Sequence, residues 1–391
     1  MATQQALGSS IQAPAVLSPS AAQQERVAFV DFIRVVACFM VILVHSSEHF
    51  YGGVDSPLAG PVSFLANETD RLCVSLYDGF CRMSVPLFMI VSAYLLAPMK
   101  EGVSSWQFYR RRLLRVGPPM LLFLVLYSVL PLLWGGVDTA TAMHDLSRVL
   151  INFPDGGGHL WFMYPLLSLY LFIPIISPWL RQATKGEELF FIGLFAVSTC
   201  LPYLNRWCGD VFGECFWNSF NLFHYFAGYL GYLVLAHYIR VHLDWSRARR
   251  VAVGVPCLVV GAAATILSFY VQGVPGQNIA TPVLEVGWAF CTLNVLCETF
   301  GAFLLFSCIR RPRAPRCIED ISRMSFGMYL VHIFWLNLWA AVFQPVLPTP
   351  VAIPVMAVVT YLCSYVTVKL LSYLPGAKYL IGAESRCRQT K

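Results

Sequence analysis

Charge is what this chain has least of. Asp, Glu, Lys and Arg make up 12% of its 391 residues, against 57% hydrophobic, where a soluble protein carries roughly 25% charged residues. So little polar surface cannot coat a globule of this size. That excludes a soluble enzyme, a nucleic-acid binder and a disordered regulator. The 13 cysteines are scattered without a C-x-x-C pair, so neither a zinc ribbon nor a disulfide framework is expected. Cys208 and Cys215 share a short loop and can pair only if it faces an oxidising compartment. The chain has no H-E-x-x-H and no cluster of His and carboxylate on one helix, so no metal site is expected. G-x-S-x-G and the P-loop are missing too, which argues against a serine hydrolase and a transport ATPase. Residues 1–25 are rich in Ala, Ser, Gln and Pro without a basic n-region, so they read as a disordered cytoplasmic tail and not as a signal peptide.

Long apolar runs fill the rest. They recur at 27–47, 74–97, 113–134, 159–180, 189–204, 218–239, 251–271, 283–309, 326–344 and 351–374, mostly long enough to span a bilayer as helices. The fold class expected is all-α: a polytopic integral membrane protein of about ten transmembrane helices, with membrane lipids as its solvent. The basic residues sort by side. Of 27 Lys and Arg, 22 fall on the N-terminal side of this alternation and 3 on the other, while Arg34 and Arg82 lie inside spans. Such a bias sets both termini in the cytoplasm. The net charge of +6 is therefore a record of topology and not a nucleic-acid footprint. One membrane domain, 26–374, is expected between the N-terminal tail and a cytoplasmic tail at 375–391.

Ionisable groups at membrane depth are costly and point to function. The first span carries Asp31, Arg34 and His45 in DFIRVVACFMVILVH. Helical geometry puts Arg34 and His45 on one face, about 16 Å apart in height, with Asp31 within about 40° of it. Glu48 and His49 follow at the outer mouth. Arg82 enters the second span in FCRMSVPLF, at a depth between Arg34 and His45. Such a ladder suits an extended anionic ligand whose reactive end reaches the outer side; ion pairs that only orient helices, such as Arg34 with Asp31, are the structural alternative. The third span opens FYRRRLLRVGPP. Its Arg110, Arg111, Arg112 and Arg115 either anchor to lipid phosphates or dock nucleotide phosphates. The fourth span opens GGGHLWFMYPL at the outer surface, where His159 and Trp161 line an acceptor site unless Trp161 belongs to the interfacial aromatic belt. SFGMYLVHI in the ninth span places Tyr329 and His332, i and i+3 neighbours, near the inner face.

In this order the motifs resemble the bacterial acyltransferase-3 family of integral membrane acyltransferases. The likeness covers Arg26 to about Leu374. It rests on Arg34 and His45 in the first span, Arg82 before VPLFMIVSAYLL, FYRRRLLRVGPP, HLWFMYPLLSLYLFIP and SFGMYLVHI. The chain is most similar to stand-alone members of the enterobacterial common antigen O-acetyltransferase type; Ala93 stands where the family usually has Gly. The resemblance implies a multi-pass protein of the bacterial inner membrane. It would take an acetyl group from cytosolic acetyl-CoA and pass it to a hydroxyl of an envelope glycan or lipid-linked sugar on the periplasmic side. In that reading His45 is the general base, Glu48 orients it, and His159 and Trp161 meet the acceptor. Arg34, Arg82, Arg110, Arg111, Arg112 and Arg115 hold the donor, with Tyr329 and His332 nearby. No hydrolase-like domain follows the last span, so transfer is expected from the membrane domain alone. The competing reading is a secondary transporter that uses the buried charges as a substrate or proton path, although no matching halves are visible.

The orientation is testable. A cysteine introduced in the 47–73 loop should react with a membrane-impermeant maleimide in intact cells. Labelling only after permeabilisation would reverse the topology.

Overall fold

A computed structural model describes residues 28–52, 55–56, 60–208 and 223–383. Its regular structure is almost entirely helical, as an apolar environment requires, because a backbone in hydrocarbon must satisfy its own hydrogen bonds. In chain order the elements are α1 (Ala28–Glu48), β1 (Asp55–Ser56), β2 (Gly60–Phe64), α2 (Glu68–Cys81), α3 (Ser84–Leu96), α4 (Ser105–Val129), α5 (Thr139–Arg148), α6 (Met163–Gln182), α7 (Lys185–Ser198) and α8 (Leu201–Trp207). There follow α9 (Tyr229–Val241), α10 (Arg247–Gln272), β3 (Asn278–Ala280), α11 (Thr281–Leu284), α12 (Leu293–Phe306), α13 (Arg316–Phe343), α14 (Thr349–Leu371) and α15 (Ala377–Leu380).

Among the described residues nine stretches are long and apolar enough to cross a membrane: Ala28–Glu48, Glu68–Leu96, Ser105–Trp134, Gly156–Gln182, Lys185–Trp207, Arg247–Gln272, Val286–Phe306, Arg316–Phe343 and Thr349–Leu371. The chain is a multi-pass membrane protein. The expected span at 218–239 is the one that differs. Its described helix, α9, has 13 residues, about 20 Å at 1.5 Å per residue, which is short of the roughly 30 Å of hydrocarbon. It begins only after Phe223 and Gly228, both at positive φ. Residues 218–222 of that expected span lie outside the described residues, as do Cys215 and the 1–25 tail. Cys208 is a free, exposed thiol.

α1 sits at the centre, packed against α2, α3, α13 and α14. The second span is broken into α2 and α3 at Arg82–Met83. Pro86 explains the position: it lacks an N–H, and its ring crowds the carbonyl four residues back, which is that of Arg82. At the C-terminal end of α1, β2 pairs antiparallel with β3, Val62 opposite Ala280. Ser63 and Thr281 join hydroxyls at 2.8 Å. This small sheet ties the loop after α1 to the loop after α10. At the other end Glu188 of α7, fully buried, bonds His237 of α9 at 2.9 Å and His242 at 3.3 Å. The 375–391 segment is not all tail: α15 packs on α4, with Ala377 and Ile381 buried.

α10 and α12 pack through glycine, as close helix pairs in membranes do. A Cβ on Gly261 would stand 2.5 Å from the Glu298 backbone nitrogen and 2.7 Å from the Asn294 carbonyl. Neither atom can move without moving α12. Gly261→Ala should therefore destabilise the fold by about 1–3 kcal/mol, read as a lower thermal midpoint in detergent. An unchanged midpoint would contradict this packing.

Candidate active site

The helices that surround α1 leave an elongated cavity of about 610 Å³. Arg34, Arg112, Arg115 and Arg323 line one end. Val41, Val44, Val85, Phe88 and Leu166 form an apolar waist, and His45, Glu48, His159 and Trp161 line the other end. The ends are separated along α1 by the 11 residues from Arg34 to His45, about 16 Å of helix rise. α13 runs beside α1 in the same direction: Ser322 Oγ donates to Asp31 Oδ1 at 2.6 Å, and ten residues further on His332 stands against His45.

His45 lies in the last turn of α1, so Glu48 at i+3 shares its face. Its Nδ1 is 2.6 Å from Glu48 Oε2. With Nδ1–H donated to the carboxylate, neutral His45 presents a bare Nε2, the atom that can take a proton. Burial is uneven across the pair: the His45 side chain is 16% exposed and that of Glu48 42%. Glu48 thus faces the open end, with His45 behind it.

Two further histidines converge on His45. The rings of His45 and His332 are 5.3 Å apart, those of His159 and His332 4.9 Å, and those of His45 and His159 6.3 Å. His332 Nδ1 bonds the Tyr329 carbonyl at 2.6 Å, and Tyr329 Oη donates to the His159 carbonyl. The expectation that Tyr329 and His332 lie near the inner face is corrected here: His332 is about 15 Å of helix above Ser322. The outer-surface position expected for His159 is corrected too. Residues Asp155–Phe162 form a 3₁₀ segment that carries His159 inward until it is buried. Gly157 permits this approach, since a Cβ there would stand 3.2 Å from Tyr127 Cβ. Trp161 is no belt residue; it stacks on Phe290 at 5.4 Å and lines the cavity.

Arg82 also borders the cavity, yet its fork is engaged. It holds Asp78 through Nε at 2.5 Å and Nη2 at 2.9 Å, donates to Tyr51 Oη at 3.2 Å, and lies 4.2 Å over the Trp288 ring. Tyr51 donates in turn to Glu285 Oε1 at 2.7 Å. Burial first, then the Asp78 and Glu285 carboxylates, hold the Tyr51 phenol well above its ordinary range, so it stays a donor. The guanidinium expected along the donor's path thus borders the cavity as the buried centre of a knot that joins α2 to both loops. Of the four arginines opening α4, Arg112 and Arg115 line the cavity, while Arg110 and Arg111 are exposed outside it.

Sequence reasoning counts Arg323 only toward topology and does not join Asp78, Tyr51 and Glu285 to Arg82. Asp78 was findable, because it stands at i−4 to Arg82 on one helix. Tyr51 and Glu285 join only through tertiary packing. Among the described residues no group of His, Cys, Asp and Glu is arranged to hold a metal.

A family model described as an acyltransferase domain matches residues 27–369 of the chain. No curated protein and no solved structure matches it.

The Arg82 knot has a measurable consequence. Asp78→Ala strands a buried guanidinium and should cost about 3–5 kcal/mol of stability. Asp78→Ala combined with Arg82→Leu should recover most of that loss in thermal unfolding. Equal stability of the single variant and the parent would show that the pair does not hold this end together.

Proposed function

The chain belongs to the acyltransferase-3 family of membrane acyltransferases, and on that premise we propose that it transfers an acetyl group from cytosolic acetyl-CoA to a hydroxyl of an envelope glycan or lipid-linked sugar. The acceptor is met on the periplasmic face of the bacterial inner membrane, with both termini of the chain in the cytoplasm. One observation carries this reading: the His45–Glu48 pair, 2.6 Å apart, stands at one end of a cavity whose other end is lined by arginines.

The donor is polyanionic at its nucleotide and carries its thioester on a long thin arm. Arg34, Arg112, Arg115 and Arg323 suit the phosphates, since guanidinium forks match phosphate oxygens. Arg110 and Arg111 raise the positive potential at the same mouth. The apolar waist accepts the arm, and the roughly 16 Å from Arg34 to His45 is of the order the arm must cover. At the far end the acceptor oxygen attacks the thioester carbonyl while His45 Nε2 takes its proton. Glu48 holds Nδ1–H and so fixes the tautomer that makes Nε2 the base. The tetrahedral intermediate then expels the coenzyme A thiolate, which receives the proton from Nε2. No charge is left behind, and no covalent enzyme intermediate is required.

Tyr329, His332 and His159 act through position. His332 and His159 stand against the His45 ring, and Tyr329 holds both of them through its carbonyl and its hydroxyl. Arg82 supports the wall where acceptor and thioester meet. Family membership leaves the transporter reading without an observation of its own.

His45→Ala should lower acetyl transfer by about 10²–10⁴-fold while acetyl-CoA still binds, and Arg34→Ala should weaken acetyl-CoA binding. The measurements are turnover of labelled acetyl-CoA with envelope glycan extract, and the Kd of the purified protein for the donor. Normal glycan acetylation by His45→Ala would overturn the role of His45; absence of donor binding in the parent would overturn the proposal.

A further inference from the structure

The two ends of the cavity carry opposite charge. Arginine lines the donor end, with Arg34, Arg112, Arg115 and Arg323. At the His45 end the charged lining consists of Glu48, Arg82 and Glu285. Asp78 stands behind Arg82 and takes both arms of its fork, so those two charges cancel. What remains is Glu48, which accepts from His45, and Glu285. Both are partly open: the side chains are 42% and 28% exposed. Among the described residues Glu285 is engaged through Oε1, by Tyr51 at 2.7 Å, with Arg82 Nη2 3.9 Å away. On the same end Trp161 and Phe290 lie nearly parallel, 20° between planes, and both face the cavity.

An aromatic wall beside a carboxylate acceptor is the chemistry that binds a sugar ring. The C–H face of the ring packs on the π surface, and a hydroxyl donates to the carboxylate. Resting on the acyl-transfer reading above, in which the acceptor enters beside His45, we infer that this end of the cavity is an acceptor subsite for an uncharged sugar. Trp161 and Phe290 form its wall and Glu285 its hydroxyl acceptor. A sugar carrying its own carboxylate meets two like charges there and is rejected, since like-charge juxtaposition across a contact is strongly disfavoured. The same polarity keeps the polyanionic donor from entering by the acceptor's end.

The probes are methyl glucoside, methyl glucuronide and the neutral amide of the glucuronide, which share ring and C2–C4 hydroxyls. The amide lacks the C6 hydroxyl as the glucuronide does, so it isolates charge and should be used like the glucoside. Transfer from labelled acetyl-CoA is followed with the full chain in detergent or lipid discs. The glucoside should exceed the glucuronide by about tenfold or more in kcat/KM, chiefly through KM. Glu285→Gln should raise KM for the glucoside and narrow the preference, and Glu285→Lys should move it toward the glucuronide. The Kd for acetyl-CoA, set at the opposite end, should not move in either variant, which reports an intact fold. Equal or better use of the glucuronide by the parent would overturn the inference and leave acyl transfer standing. An unchanged preference in both Glu285 variants, with donor binding intact, would overturn it as well. Donor turnover with none of the sugars acetylated would remove the sugar subsite alone. Failure to bind acetyl-CoA would remove the reading beneath it together with the subsite.

Discussion

A charged or hydrogen-bonding group carried into hydrocarbon must be met by protein or by a wet cavity, because the lipid offers no partner. α1 imports three such groups, and the arrangement around it follows from meeting them. Asp31 receives Ser322 of α13, Arg34 opens on the cavity, and His45 takes Glu48 from its own last turn. α13 must therefore run alongside α1 with Ser322 at the level of Asp31. That register brings His332, ten residues on, against the His45 ring. The pairing of these two helices is what turns a set of costly side chains into a site.

The second span shows the same constraint working on a different element. Pro86 breaks it at Arg82, where a guanidinium could not be left alone. Asp78 from the turn before, Tyr51 from the loop after α1 and the Trp288 ring close around it. Glu285 joins through Tyr51. The loops that cap this end are thus fastened to the bundle through one buried cation, with the β2–β3 pairing beside it. A residue whose depth suggests a ligand contact is spent mainly on holding the wall of the cavity. The partners left over, Glu48 and Glu285, give that wall its negative character.

Much of the membrane architecture was legible from composition and spacing. Nine of the ten expected spans have their counterparts, and the family resemblance carried by FYRRRLLRVGPP, HLWFMYPLLSLYLFIP and SFGMYLVHI agrees with the family match over 27–369. The exception, around α9, mixes apolar residues with glycines, and hydropathy does not register that a positive φ at Gly228 begins the helix late. In the candidate site, the His45–Glu48 neighbourhood was readable because both residues lie on one helical face. The depth of Tyr329 and His332 was not, because depth depends on where α13 starts relative to α1. The inward path of His159 was hidden in the same way, since a 3₁₀ segment and the close approach at Gly157 set it.

Local regularities were decided by the sequence alone: helix where apolar runs are long, and a shared face where residues recur at three or four. These depend on covalent geometry and on the cost of charge in lipid, and both act within one segment. Only the tertiary structure decided which segments meet. It brought Tyr51 and Trp288 to Arg82, gathered three histidines from α1, α13 and the 155–162 segment, and lined one end of the cavity with arginines from three helices. Contacts between residues more than a hundred positions apart depend on packing between helices, and no periodicity within a single helix encodes them.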